Sequence, residues 1–98
     1  MPIHPIQPVE PKQYFGKYRA LVLNHTDPLQ LGRILAQVPD VSALPTTWAM
    51  PCLPYVSSHG ILALPPVGTS IWIEFEQGNV DYPIWSGCFW NPGQPPLL

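Results

Sequence analysis

Proline decides how long any regular element of this chain can be. There are fifteen prolines in 98 residues, and each fixes its own φ and removes a backbone donor. Pro2, Pro5, Pro8 and Pro11 recur every three residues. That spacing favours an extended, polyproline-like arm over residues 1–14, without a ladder of its own. Ile3, Ile6 and Val9 are the side chains by which it would dock on a neighbouring subunit; an undocked leader is the alternative. Pro45, Pro51 and Pro54 in "VSALPTTWAMPCLPYVSSH" exclude a long element. This segment is expected to be an ordered loop crossing a barrel, with Trp48 as an apolar plug and a short helix or strand near it. The tail over residues 91–98, "NPGQPPLL", is proline-rich again.

Between the prolines, apolar residues alternate. In "YFGKYRALVLNHTDP", Ala20, Val22 and Asn24 alternate with Leu21, Leu23 and His25, the period of a strand. Asp27 and Pro28 make a turn. In "LGRILAQVPDV", Ile34, Ala36 and Val38 share one face, and Pro39 ends the run. The two runs pair as a hairpin across "HTDPLQ". Gly60 to Leu64 reads as a short strand before a "PPVG" turn, where Pro65, Pro66 and Gly68 are the structural residues. Ile71, Ile73 and Phe75 then form a wholly apolar face against Trp72, Glu74 and Glu76. In "EQGNVDYP" a hairpin connection is expected, with Gly78 and Asn79 able to take positive φ and Pro83 closing it. A last strand, Ile84 to Trp90, sets Trp85, Gly87 and Phe89 against Ile84, Ser86, Cys88 and Trp90.

The pattern predicts an all-β domain over residues 15–90 with five short strands and extended proline-rich termini. Closure into a small barrel would remove its sticky edges. A five-stranded Greek-key OB-fold barrel fits the spacing, and an SH3-like barrel is the structural runner-up. The predicted barrel core is Val22, Ile34, Ala36, Val38, Ile71, Ile73, Phe75 and Trp85, with Gly87 as a structural glycine.

Charge narrows the function. Only 10% of residues are charged, against a usual quarter or so, so much of the surface is expected to face other protein. Net charge is −2; Lys12, Lys17 and Arg19 cluster while Arg33 stands apart. That is a weak footprint for nucleic acid, and none is expected as a partner. The start "MPIHPIQPVEPK" has no basic leader followed by an apolar run, so no signal peptide is predicted. No apolar stretch approaches a membrane span, so no direct membrane anchor is expected.

Residues able to run a reaction are scattered. His25, His59, Cys52 and Cys88 are zinc-ligand types, but no CxxC or HxxxH spacing supports a site; two small buried thiols and a turn histidine explain them. Glu74 and Glu76 lie two apart and share a face if both are in a strand. A solvated stripe, or a contact to Lys or Arg of another chain, outweighs acid–base chemistry there. Ser57 and Ser58 have no base held beside them, and there is no glycine-rich phosphate loop. The expectation is a non-enzyme without catalytic residue, metal or cofactor.

The ordered set "FGKYRALV", "DPLQLGRILAQVPDV", "WAMPCLPY", Gly60 and "PPVGTSIWIEFEQGNVDYPIWSG" resembles the OB-fold domain of the contractile-tail central spike family. These are the phage baseplate assembly protein V and type VI secretion Vgr spike proteins. The likeness covers nearly all of residues 15–90, and the run E-x-G-x-x-x-x-P-x-W-x-G from Glu76 to Gly87 is its most specific part. It implies a structural hub–spike adaptor: a homotrimeric collar with a baseplate hub protein above and a needle below. Many members carry the needle, a lysozyme or a hub domain in the same chain. Here the needle and any lytic activity are expected to be absent or supplied by separate chains. The location implied is a virion baseplate or a cytoplasmically assembled injection particle. Trp48, Trp72, Tyr82, Phe89 and Trp90 are the candidate interface residues. A stand-alone OB-fold module for single-stranded nucleic acid or carbohydrate is the alternative, and a small hydrolase working through Glu74 and Glu76 is weaker still.

Overall fold

A computed structural model of the protein describes residues 12–56 and 63–94. The arm residues Ile3, Ile6 and Val9 lie outside them, as do residues 60–62 of the strand expected at Gly60–Leu64; Ala63 and Leu64 are not in a strand. Among the described residues five strands occur in chain order: β1 Tyr18–Asn24, β2 Leu35–Gln37, β3 Met50–Pro51, β4 Ser70–Phe75 and β5 Pro83–Cys88. Proline or an Asx turn stops the first three runs: Asp27–Pro28 after β1, Pro39 after β2, Pro54 beyond β3.

The sheet order is β2-β1-β4-β5-β3. β1 is antiparallel to β2, pairing Val22 with Ala36, and to β4, pairing Ala20 with Ile71. β4 and β5 are antiparallel, with Phe75 opposite Pro83, and β3 runs parallel to β5. The two outer strands then meet. Just before β2 and β3, Ile34 and Ala49 form an antiparallel bridge, so the ring reads β1-β2-β3-β5-β4 and back to β1. With all five strands paired around it, the sheet is the small, all-β OB-fold barrel that the spacing predicted.

Alternation fills the interior. The core is Ala20, Val22, Ile34, Ala36, Val38, Ala49, Ile71, Ile73, Phe75 and Trp85. It contains all eight residues named from the pattern, with Ala20 and Ala49 added. Burying each Ile or Val is worth about 1.5–3 kcal/mol relative to exposure. Tyr14 and Tyr18 cap Phe75, each with its ring centroid 5.9 Å from the Phe75 ring. Trp85 reaches across the barrel, and its indole Nε1–H donates to the Gly32 carbonyl at 3.0 Å.

Several expectations are corrected. Trp48 is not a plug: it is half-buried, with the Arg33 guanidinium 5.6 Å from its ring centroid, and its neighbour Ala49 takes the core position. In the β4–β5 connection Gly78 takes positive φ, but Gln77 (φ 51°) joins it and Asn79 stays extended at −85°. Glu74 and Glu76 do not share a strand face, because β4 ends at Phe75 and Glu76 begins a 3-10 turn, Glu76–Gly78. Cys52 and Cys88 are exposed thiols. Lastly, a register shift in β5, where Ile71 and Ile73 face Cys88 and Trp85, breaks the strict alternation after Trp85. Gly87 sits in that bulge, and Phe89 meets Trp72 instead of following Trp85 inward.

Candidate interaction surface

The turn residues frame the surface. Thr69 N–H donates to the Pro66 carbonyl at 3.1 Å, and Gly68 (φ 88°) sits third in that turn, as a type II turn requires. Pro65 is buried, and its carbonyl is 3.1 Å from His25 Nδ1. Pro83 is buried at the start of β5.

The first aromatic site lies on the outer face. The Trp72 and Phe89 rings pack with centroids 4.5 Å apart. The Arg19 guanidinium lies over both, 5.2 Å from the Trp72 centroid and 4.9 Å from that of Phe89. A guanidinium held this way keeps its edge N–H groups for other partners. Beside it Lys17 Nζ pairs with Glu74 Oε1 at 3.1 Å, and that ammonium holds the Glu74 carboxyl below its ordinary range.

Strand directions define a second site. β1 ends where β4 begins and where β5 ends. The loop 25–33, the turn 65–69, the chain after β3 and the segment after Cys88 therefore all lie at one end of the barrel, the exit end of β1. The loop 25–33 is tightly organised. The buried Asp27 carboxylate accepts from the backbone N–H of Leu29 (2.9 Å), Leu31 (3.0 Å) and Arg33 (3.3 Å), and from Arg33 Nε (2.9 Å) and Nη2 (2.8 Å). The Arg33 guanidinium holds the Asp27 carboxyl well below the usual carboxylate range. Yet this ordered loop displays Leu29 (64% exposed) and Leu31 (58%). Next to it is an open groove of about 600 Å³ lined by Val67, Thr69, Cys88, Phe89, Trp90 and Gln94, among others. Asn91 Nδ2 donates to Ser70 Oγ at 2.6 Å and fixes one wall.

The structure thus brings Trp72, Phe89 and Trp90 to neighbouring positions, with Trp90 67% exposed. Tyr82 lies at the opposite end, and Trp48 is separate beside Arg33. Leu29, Leu31 and Val67 are not among the residues that the sequence marks as interface. Their signal is present there all the same: large apolar side chains in "DPLQLG" and "PPVG", where turn chemistry leaves no core to enter. In all, fourteen large hydrophobic side chains among the described residues are exposed.

Among the described residues no group of three His, Cys, Asp or Glu could hold a metal, and desolvation raises the Cys88 thiol pKa, away from the nucleophilic thiolate. Among them, too, no helix is long and apolar enough to cross a membrane. Residues 18–90 match the family model described as the type VI secretion system/phage-baseplate injector OB domain. No curated protein matches the chain.

Proposed function

The chain belongs to the type VI secretion system/phage-baseplate injector OB-domain family, and from that membership we propose that it is a non-catalytic hub–spike adaptor. In this reading three copies form an OB-fold collar. A baseplate hub protein sits above the collar, and a separately encoded needle or spike-tip protein hangs below. The particle is a contractile phage tail or a phage-derived injection machine assembled in the cytoplasm.

One observation carries the reading. Among the described residues fourteen large hydrophobic side chains are exposed, on a chain with only 10% charged residues. A lone small domain with that surface is poorly protected from association, whereas subunits of an assembly bury it. The placement of the cations supports protein over nucleic acid as partner. Arg33 is tied to Asp27 and Lys17 to Glu74, and the other two cations, Arg19 and Lys12, lie over separate aromatic groups, too few for a phosphate track.

The test is the mass of the purified chain in solution by light scattering, at low and high salt. A species near three times 10.9 kDa, insensitive to salt, is expected for a collar closed by apolar contacts. A monomer at both salt concentrations overturns the self-assembled collar.

A further inference from the structure

The groove at the exit end of β1 has a cationic rim. Arg19 is exposed on the outer face of the barrel, since its neighbour Ala20 turns inward. Its guanidinium lies over Trp72 and Phe89, and Phe89 is also a wall of the groove. The chain's three other cations are placed differently. Lys17 and Arg33 are each paired with a carboxylate, and Lys12 lies over Tyr14 ahead of β1. Among the described residues Arg19 forms no ion pair. The carboxylates left over among them, Asp40, Glu76 and Asp81, follow β2 and β4 at the opposite end of the barrel. The rim of the groove is therefore positive without a counter-charge of its own.

The two rings favour one kind of anion. They cover the guanidinium and leave its N–H edge, a planar fork that fits the paired oxygens of a carboxylate. A single Arg balances a single carboxylate, whereas a phosphate chain calls for several cations. Beyond the rim the groove is apolar on its walls, where Val67 and Trp90 are both exposed. Its wall is fixed before anything binds: Phe89 N–H donates to the Ser70 carbonyl at 3.1 Å, and Asn91 Nδ2 to Ser70 Oγ at 2.6 Å. Little conformational freedom is then lost on contact. Arg and Trp side chains held together in this way are the residue types that dominate the energetics of protein interfaces.

We propose that the rim and groove bind an extended segment of a partner protein in which an Asp or Glu stands next to a large apolar residue. The carboxylate pairs with the Arg19 guanidinium, and the apolar side chain enters the groove beside Val67 and Trp90. The inference goes beyond the collar reading and does not rest on it, because the site is built from the outer face of one chain.

The test is a titration of the isotope-labelled chain with acetyl-Leu-Asp-Leu-amide, followed by two-dimensional NMR. Saturable shifts are expected at Arg19 Nε–H and at the indole N–H groups of Trp72 and Trp90. The Asn analogue, acetyl-Leu-Asn-Leu-amide, should bind about tenfold more weakly or worse, because the charge-assisted hydrogen bonds are lost. Arg19→Gln should abolish the difference between the two peptides, and Arg19→Lys, which keeps the charge without the fork, should retain only part of it. The Trp85 indole N–H, bonded to the Gly32 carbonyl inside the barrel, should stay in place throughout and reports that each variant is folded. Absence of saturable shifts, equal affinity of the wild-type chain for both peptides, or a preference that survives Arg19→Gln overturns the proposal. So does salt-sensitive binding of oligothymidylate at the same groups in place of the peptide, which would assign the rim to phosphate.

Discussion

Ile34 and Ala49 exchange both of their backbone hydrogen bonds, at 3.1 and 2.7 Å, and this pair joins the two ends of the five-stranded sheet. Thr46 reinforces it from the same loop. Its N–H donates to the Ala36 carbonyl at 2.8 Å, and its Oγ1 accepts from the Ala36 N–H at 3.0 Å. Without these bonds β2 and β3 would be open edges, and both Ile34 and Ala49 would lose the cover that keeps them fully buried.

Ala49→Pro should therefore open the barrel. It removes the N–H that the Ile34 carbonyl accepts and leaves that buried carbonyl unpaired, at about 1–3 kcal/mol, with added strain from the ring. Ala49→Gly keeps both bonds and should cost only about 1 kcal/mol. Urea unfolding of the two variants checks the order. Equal losses would mean that the side chain, and not the closure, matters at this position.

Phe75 is the aromatic base of the barrel, buried under Tyr14 and Tyr18. Phe75→Ala should cost about 3 kcal/mol or more, the loss of buried ring plus the cavity left behind. Trp72→Ala, at a half-buried outward position of the same strand, should cost clearly less in the same urea titration. A larger loss for Trp72 would reverse the assignment of the two β4 faces.

The period of two makes the inward residues legible. Val22, Ile34, Ala36, Val38, Ile71, Ile73 and Phe75 alternate in sequence and lie together inside. Other features have no such signal. Closure depends on Ala49, an ordinary alanine in a stretch where three prolines leave room only for a short element, and the strand after it is two residues long. Trp48 draws attention by size, but it is half-buried beside Arg33 while its neighbour Ala49 is the residue turned inward. The bulge at Gly87 reverses the facing of the residues after it, which alternation cannot foresee. Aromatic residues mark part of the interaction surface in the sequence. The leucines of the 25–33 loop are visible there as large apolar residues in a turn sequence, but what holds them outward, Asp27, is not. Three backbone N–H groups converge on one carboxylate only once the loop has folded around it.

Gly68 and Gly78 separate strain from crowding. Both have positive φ, 88° and 75°. A Cβ on Gly68 would meet nothing within 4 Å, whereas one on Gly78 would lie 2.9 Å from Phe15 Cε1. Gly68→Ala should cost roughly 1–2 kcal/mol for the left-handed backbone alone, and Gly78→Ala more. In a Phe15→Ala background the excess at Gly78 should shrink to what the Gln13 Cβ at 3.3 Å imposes, giving a coupling energy measurable by a double-mutant cycle. Additive losses would show that Phe15 yields at no cost.

Asp27 sets the acid limit of the loop. Its carboxyl is held below the ordinary range by Arg33 in the folded chain, while the unfolded value is about 3.9. The folded state thus binds fewer protons than the unfolded state as pH falls. The stabilisation is complete above the unfolded value and is lost progressively as pH drops below about 4. Glu74 is shifted the same way by Lys17 and contributes in the same direction. Asp27→Asn should lower the urea midpoint near pH 7 and flatten its decline toward pH 3 or so, leaving the smaller dependence due to Glu74. Because the five donors on Asp27 also hold Leu29 and Leu31 in place, amide exchange of the 25–33 loop should speed up in this variant more than exchange in β4. A parallel acid decline in variant and wild type would locate the acid-sensitive group elsewhere in the chain.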